Sequence, residues 1–131
     1  MKEIAVGIKA VITKEVTEEM TALRVGSGSL KVLATPVMIA LMEEAACKVL
    51  EPYLEEGITT VGTMISAEHK APTPIGGNIK VTAVLTAAEG RKFCFDVTAE
   101  DEGGIIGEGR HERFSVKAIP FMQKAADRIQ K

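Results

Sequence analysis

The sequence predicts an α+β fold in which a curved antiparallel sheet wraps around one long helix. Three observations carry that expectation. Residues 36–50 form a helix in which Val37 to Leu50 hold only three charged residues, Glu43, Glu44 and Lys48; a helix this apolar is surrounded by protein. Residues 58–116 alternate with a period of two in four successive runs, the mark of half-buried strands. The runs are joined by short connections, which predicts an antiparallel meander. One sheet covering one apolar helix is the economical way to bury both.

The elements follow in order. Residues 3–13 place Ile4, Val6, Ile8, Ala10 and Ile12 on one side, predicting a first strand with one buried face. Residues 14–35 are mixed: Thr17 to Met20 suit a short helical turn, and Gly26-Ser27-Gly28-Ser29 suits a flexible loop. Thr35 fits the N-cap of the long helix and Pro36 its first turn. Pro52 disfavours helical geometry at Glu51 and ends it. Residues 58–69 predict a strand with Val61, Ile65, Ala67 and His69 on one face, and 71–77, with two prolines, a rigid turn. Residues 79–88 point Ile79, Val81, Ala83, Leu85 and Ala87 inward. Residues 91–100 do the same with Phe93, Phe95, Val97 and Ala99. Asp101 to Gly104 forms a hairpin turn before the last strand at 105–116. Pro120 then opens an amphipathic helix with Phe121, Met122, Ala125 and Ile129 on its apolar side. This layout is the one called a hot-dog fold. A sheet with free edges predicts dimerisation of two copies across an edge strand.

Length and composition agree with one domain over 1–131. A chain of 131 residues that is 46% apolar buries a core without staples. Its net charge of −2, with both signs dispersed, offers no basic stripe for nucleic acid. No apolar run reaches membrane-spanning length and no leader pattern precedes the first strand, so a cytoplasmic protein is expected. Cys47 and Cys94 match no metal or redox spacing and are read as buried free thiols.

Four places could carry chemistry. Glu43 has Ile39, Ala40, Ala46 and Cys47 as helical neighbours, whereas Glu44 faces Lys48 four residues on. Glu43 therefore lies on the buried side, where a carboxylate must reach solvent, pair with a strand Arg, or serve a function. His69 ends its strand on the buried face and can exchange a proton near neutral pH. Thr35, at the helix start, can cap the first turn, and the same N-terminus can polarise a developing oxyanion. Gly107, Gly109, His111 and Arg113 share one face of the last strand; the glycines make room for a close neighbour, and Arg113 is the group to neutralise a carboxylate or hold a polar ligand. Thr35 and Glu43 are about 12 Å apart in rise and roughly 80° in rotation. A long substrate could touch both, or the two could come from opposite subunits.

The segments Ala34-Thr35-Pro36-Val37-Met38-Ile39-Ala40-Leu41-Met42-Glu43, Val61-Gly62-Thr63-Met64-Ile65-Ser66-Ala67-Glu68-His69 and Gly107-Glu108-Gly109-Arg110-His111-Glu112-Arg113 resemble the fluoroacetyl-CoA thioesterase family of hot-dog proteins. The resemblance runs from about residue 32 to 116. It implies a catalytic set of Thr35, Glu43 and His69, with Gly62 and Arg113 contacting substrate. The implied reaction is hydrolysis of a small acyl-CoA by a homodimer, with no metal and no cofactor beyond the CoA of the substrate. In it Glu43 acts as nucleophile or general base, Thr35 and the helix N-terminus polarise the carbonyl, and His69 orients Glu43 or shuttles the proton. One departure matters: members specific for fluoroacetyl groups carry aromatic lid residues before the Thr, and residues 14–35 here contain no Phe, Tyr or Trp. A different acyl group is therefore expected. The competing expectations are a non-catalytic acyl-CoA-binding or regulatory module of the same fold, and a dehydratase or hydratase. The second needs an Asp-and-His pairing on the central helix that this chain lacks.

Overall fold

The computed structural model describes residues 3–130, so Met1, Lys2 and Lys131 of the expected 1–131 domain lie outside the described residues. The first strand, β1, spans Lys9–Glu15. A 3-10 turn at Glu18–Met20 and a one-turn helix α1 at Ala22–Val25 follow, then the long helix α2 at Thr35–Leu50. The strands β2 (Ile58–His69), β3 (Asn78–Glu89), β4 (Lys92–Asp101) and β5 (Gly104–Lys117) come next, and α3 (Ala118–Asp127) closes the chain. All five strands form one antiparallel sheet in the order β1-β3-β4-β5-β2. Together with the central α2 this is the hot-dog arrangement.

The core is as the alternation predicts. Met38, Leu41, Met42, Ala45, Ala46, Val49 and Leu50 of α2 are buried against Ile79, Val81, Ala83 and Leu85 of β3 and Phe93, Phe95, Val97 and Ala99 of β4. A buried aliphatic side chain contributes about 1.5–3 kcal/mol relative to exposure, so this face fixes the helix on the sheet. The helix sits off centre. It packs most on β3 and β1, and less on β4, β2 and β5. The concave side of the β5–β2 pair is therefore less closely covered by the helix, and polar residues collect there.

Three expectations need correction. The first strand starts at Lys9, not residue 3, because Gly7 turns with φ 101° and breaks the alternation; Val6 is exposed and Ile12 alone of the predicted face is buried. The last four strands are not a simple meander: β3-β4-β5 is one, but β2 pairs with β5. The connection after β2 crosses the end of the sheet instead. Lys70 and Ala71 N–H groups both donate to the Ile106 carbonyl, and Leu33 N–H donates to the Thr73 carbonyl. The last helix starts at Ala118, two residues before Pro120, and none of its residues is buried. No helix among the described residues is long and apolar enough to cross a membrane.

Candidate active site

A one-residue irregularity in β2 sets the site. Gly62 pairs with Arg113 and Met64 with Glu112, so Thr63 is an extra residue that opposes nothing on β5. Such a bulge reverses which face the following residues take. Val61 therefore faces away from Ile65, contrary to the uniform alternation expected of residues 58–69. Thr60 and Gly62 instead share the concave face with Ile65, Ala67 and His69, opposite Ser115, Arg113, His111, Gly109 and Gly107 of β5. Gly107 makes room for the helix: a Cβ there would lie 2.5 Å from Met38 Sδ.

At the start of α2, Thr35 Oγ1 and His69 Nδ1 lie 2.7 Å apart. Thr35 is not the N-cap. Ala34 holds that position, and the Thr35 side chain faces β2 rather than the first-turn amides. Those amides are already occupied: Pro36 has no N–H, and Val37 and Met38 both donate to the Ala34 carbonyl. What the helix start can offer an oxygen is thus chiefly the N–H of Thr35 itself, backed by the dipole. His69 Nε2 is buried and has no hydrogen-bond partner. Burial lowers the His69 pKa, and the Ala71 backbone opposes this without satisfying Nε2. A cleft of about 290 Å³ opens beside the pair, walled by Ala22, Val32, Leu33, Ala71 and Pro72 with Lys70 at its rim.

Two turns along the helix lies a second cluster. Arg113 is buried, with Nε donating to Thr60 Oγ1 and Nη2 to the Thr60 carbonyl, each at 3.0 Å. Its Nη1 lies 3.1 Å from His111 Nε2. These bonds are what makes burying a guanidinium tolerable. Glu43 Oε2 stands 3.6 Å from Arg113 Nη1 and 3.9 Å from His111 Nε2, with 39% of its side chain exposed. Glu43 therefore does not sit in apolar surroundings. It reaches the rim and faces a strand Arg, while Glu44 and Lys48 are both exposed. A Cβ on Gly62 would fall 2.6 Å from Glu43 Oε2, so that glycine keeps a notch open over the carboxylate.

The structure thus brings Thr35 together with His69, and Glu43 together with Arg113 and Gly62, as two separate clusters in one chain. It does not bring His69 to Glu43, the contact expected if His69 orients that carboxylate. Two residues beside the clusters had no role assigned from the sequence: Thr60, which was not singled out, and His111, which was placed only on the same face as Arg113. Both lie two positions from a residue that had one, on the same face, which is the signal that could have found them.

Residues 16–118 match the family described as fluoroacetyl-CoA-specific thioesterase. A curated fluoroacetyl-CoA thioesterase of Streptantibioticus cattleyicolor is 42% identical over 94 residues, 72% of this chain and 68% of that protein. A solved fluoroacetyl-CoA thioesterase structure superposes with a TM-score of 0.92 at 32% identity, covering 98% of this chain and 100% of the other. A variant of that enzyme in complex with acetyl-CoA gives 0.91 at 32% identity, covering 97% and 100%.

Proposed function

The chain belongs to the fluoroacetyl-CoA-specific thioesterase family and is a thioester hydrolase, and we propose that it hydrolyses a small acyl-CoA to a carboxylate and free CoA. The observation that carries the assignment of roles is the 2.7 Å contact between Thr35 Oγ1 and His69 Nδ1. A hydroxyl and an imidazole at this distance have the geometry that a nucleophile and its base require. With Thr35 O–H donating to Nδ1, the proton of the neutral ring sits on Nε2, the buried atom without an acceptor.

Thr35 Oγ1 attacks the thioester carbonyl carbon as its proton passes to His69 Nδ1. The C–S bond breaks, and the CoA sulfur leaves with that proton. Water, deprotonated by His69, then attacks the threonyl ester; the C–Oγ1 bond breaks, His69 returns the proton to Thr35 Oγ1, and the carboxylate is released. The Thr35 N–H and the helix dipole meet the developing oxyanion. Glu43 is the third member, accepting from His69 Nε2–H and stabilising the imidazolium. In one chain Glu43 is about 12 Å of helix rise away, so we assign that contact to Glu43 of a second copy, in a homodimer paired across the free edge of β2. This replaces Glu43 as nucleophile. Arg113 and Gly62 hold and admit the carboxylate, and CoA lies along the subunit boundary. The reaction asks only for water and a base, so no metal or cofactor enters it.

The acyl group differs from fluoroacetyl in this reading. Residues 14–35, of which Ala22, Ser27, Val32 and Leu33 line the Thr35–His69 cleft, contain no Phe, Tyr or Trp, whereas members specific for fluoroacetyl groups carry aromatic lid residues before the Thr. Thiol release from a panel of short acyl-CoAs, fluoroacetyl-CoA included, tests both parts. We expect turnover of at least one small acyl-CoA and no preference for the fluorinated over the plain acetyl group. CoA binding without any thiol release would favour the non-catalytic binding module instead.

A further inference from the structure

His111 is buried to 1% and is not part of the catalytic set, yet both its ring nitrogens are engaged. Nδ1 lies 2.7 Å from the Met64 carbonyl, an obligate acceptor, so Nδ1 carries the proton. Nε2 is then a bare lone pair, and it faces Arg113 Nη1 at 3.1 Å. The Met64 carbonyl belongs to the β2 bulge that also opens the notch at Gly62. The other groups facing the ring are the Phe95 ring of β4, at a centroid distance of 6.1 Å, Glu43 of α2, and Arg113 and Glu112 of β5, Glu112 being paired with Lys92 at 3.5 Å.

We propose that His111 is a positioning residue: held as the neutral Nδ1–H tautomer by the bulge carbonyl of Met64, it fixes the Arg113 guanidinium and so sets where Glu43 stands. The geometry explains why an imidazole occupies this place. Thr60 holds two of the guanidinium nitrogens, but Nη1, the one nearest Glu43, has His111 as its neutral acceptor. A carboxylate there would bind Arg113 outright and leave no cation for Glu43. A protonated His111 would lose the lone pair, set two cations side by side, and draw Glu43 towards Nε2. Burial disfavours that form most; the Met64 carbonyl favours it next, Arg113 disfavours it, and Glu43 and Glu112 favour it least, with the pKa left below the usual value.

The consequence for turnover rests on the reading of Glu43 and Arg113 as site residues, while the tautomer does not. The chain has two histidines, so long-range ¹H–¹⁵N spectra of the labelled protein show two rings, told apart by the loss of one in His69→Asn. The expected result for His111 at neutral pH is a neutral ring protonated at Nδ1. A ring protonated at Nε2, or an imidazolium, overturns the proposal. In kinetics, His111→Ala is expected to lower kcat about 10- to 100-fold, as a displaced catalytic group does, with KM changed far less. His111→Gln, which keeps an acceptor near the Nε2 position, is expected to recover most of that loss. Parental kcat in the Ala variant, or a Gln variant as poor as Ala, overturns it. If Ala does not fold, the Gln variant and the spectra still decide. Absence of thiol release from every acyl-CoA in the wild-type protein would instead sink the thioesterase reading and leave the tautomer standing.

Discussion

At the start of α2, Thr35 and His69 share one short bond and leave His69 Nε2 without an acceptor. About two turns further along, Arg113 commits three hydrogen bonds to Thr60 and His111 while Glu43 stands 3.6 Å off. The first cluster lacks an acceptor, and the second holds one that is not spent on a tight ion pair. A buried polar atom left unpaired costs about 1–3 kcal/mol, and with the proposed tautomer, which puts the proton on Nε2, a carboxylate is what would repair it. The two deficits are complementary, and the helix rise between them forbids one chain from closing both. This is the physical case for a site completed by a second copy.

The largest effect expected breaks the first cluster. Thr35→Ala removes the hydroxyl on His69 and should lower kcat/KM by at least about 10³-fold, as loss of a nucleophile does. Thr35→Ser should keep a substantial part of the activity, because the hydroxyl remains. An Ala variant within tenfold of the parent would mean that His69 activates water directly.

Next is the carboxylate of the second cluster. Glu43→Gln keeps the shape but cannot stabilise an imidazolium, and should lower kcat by roughly 10²–10⁴-fold, the range seen when a triad carboxylate is neutralised. The half-exposed position makes the change mild for folding, so the melting temperature should stay within a few degrees. Mixing Glu43→Gln protein with Thr35→Ala protein sharpens the comparison. If the site is shared between copies, mixed dimers hold one site with both wild-type groups and recover activity that neither variant has alone.

Gly62→Ala tests the notch between the two. Gly62 has no positive φ, so alanine suits its backbone, but its Cβ would lie 2.6 Å from the mobile end of Glu43, 3.1 Å from Arg113 Nη1 and 3.2 Å from His111 Cε1, the last two on buried side chains. Stability should therefore fall by about 1–3 kcal/mol, while kcat per folded molecule falls about 10- to 100-fold through displacement of the carboxylate. A large loss of stability with normal kcat per folded molecule would assign Gly62 to packing alone.

Much of this was legible because it is local. The apolar run from Val37 to Leu50 and the alternation of β3 and β4 specify what each element buries, and those faces are the core observed. Thr35, His69, Glu43, Gly62 and Arg113 could be located by helical spacing, strand alternation and family resemblance. What escaped depends on pairing between distant segments. Nothing in residues 58–69 says that β2 lies beside β5 rather than β3. Nothing there says that Thr63 is extra and turns Val61 away from Ile65. The bulge in turn aims the Met64 carbonyl at His111, so the role proposed for that histidine had no footing before the register was known. Likewise Thr35 looked like a cap because a cap is what local chemistry offers; the partner that takes its hydroxyl comes from 34 residues away.

The smallest effect concerns stability against pH, and it again separates the clusters. Burial lowers the pKa of both His69 and His111. For a histidine with a folded pKa below its unfolded value of about 6.5, the unfolded chain takes up a proton that the folded chain refuses. Stability is then complete above about pH 6.5 and declines as pH falls towards the folded pKa. Thermal melts stepped from pH 7.5 to 5.5, above the range where most carboxylates titrate, should show this decline. His111 is buried to 1% and its Nε2 faces Arg113, whereas His69 is only partly buried. His111→Gln should therefore flatten the pH dependence more than His69→Asn. The reverse order would place the stronger aversion to charge at the start of α2, and would mean that Glu43 compensates a protonated His111 better than a distance of 3.9 Å suggests.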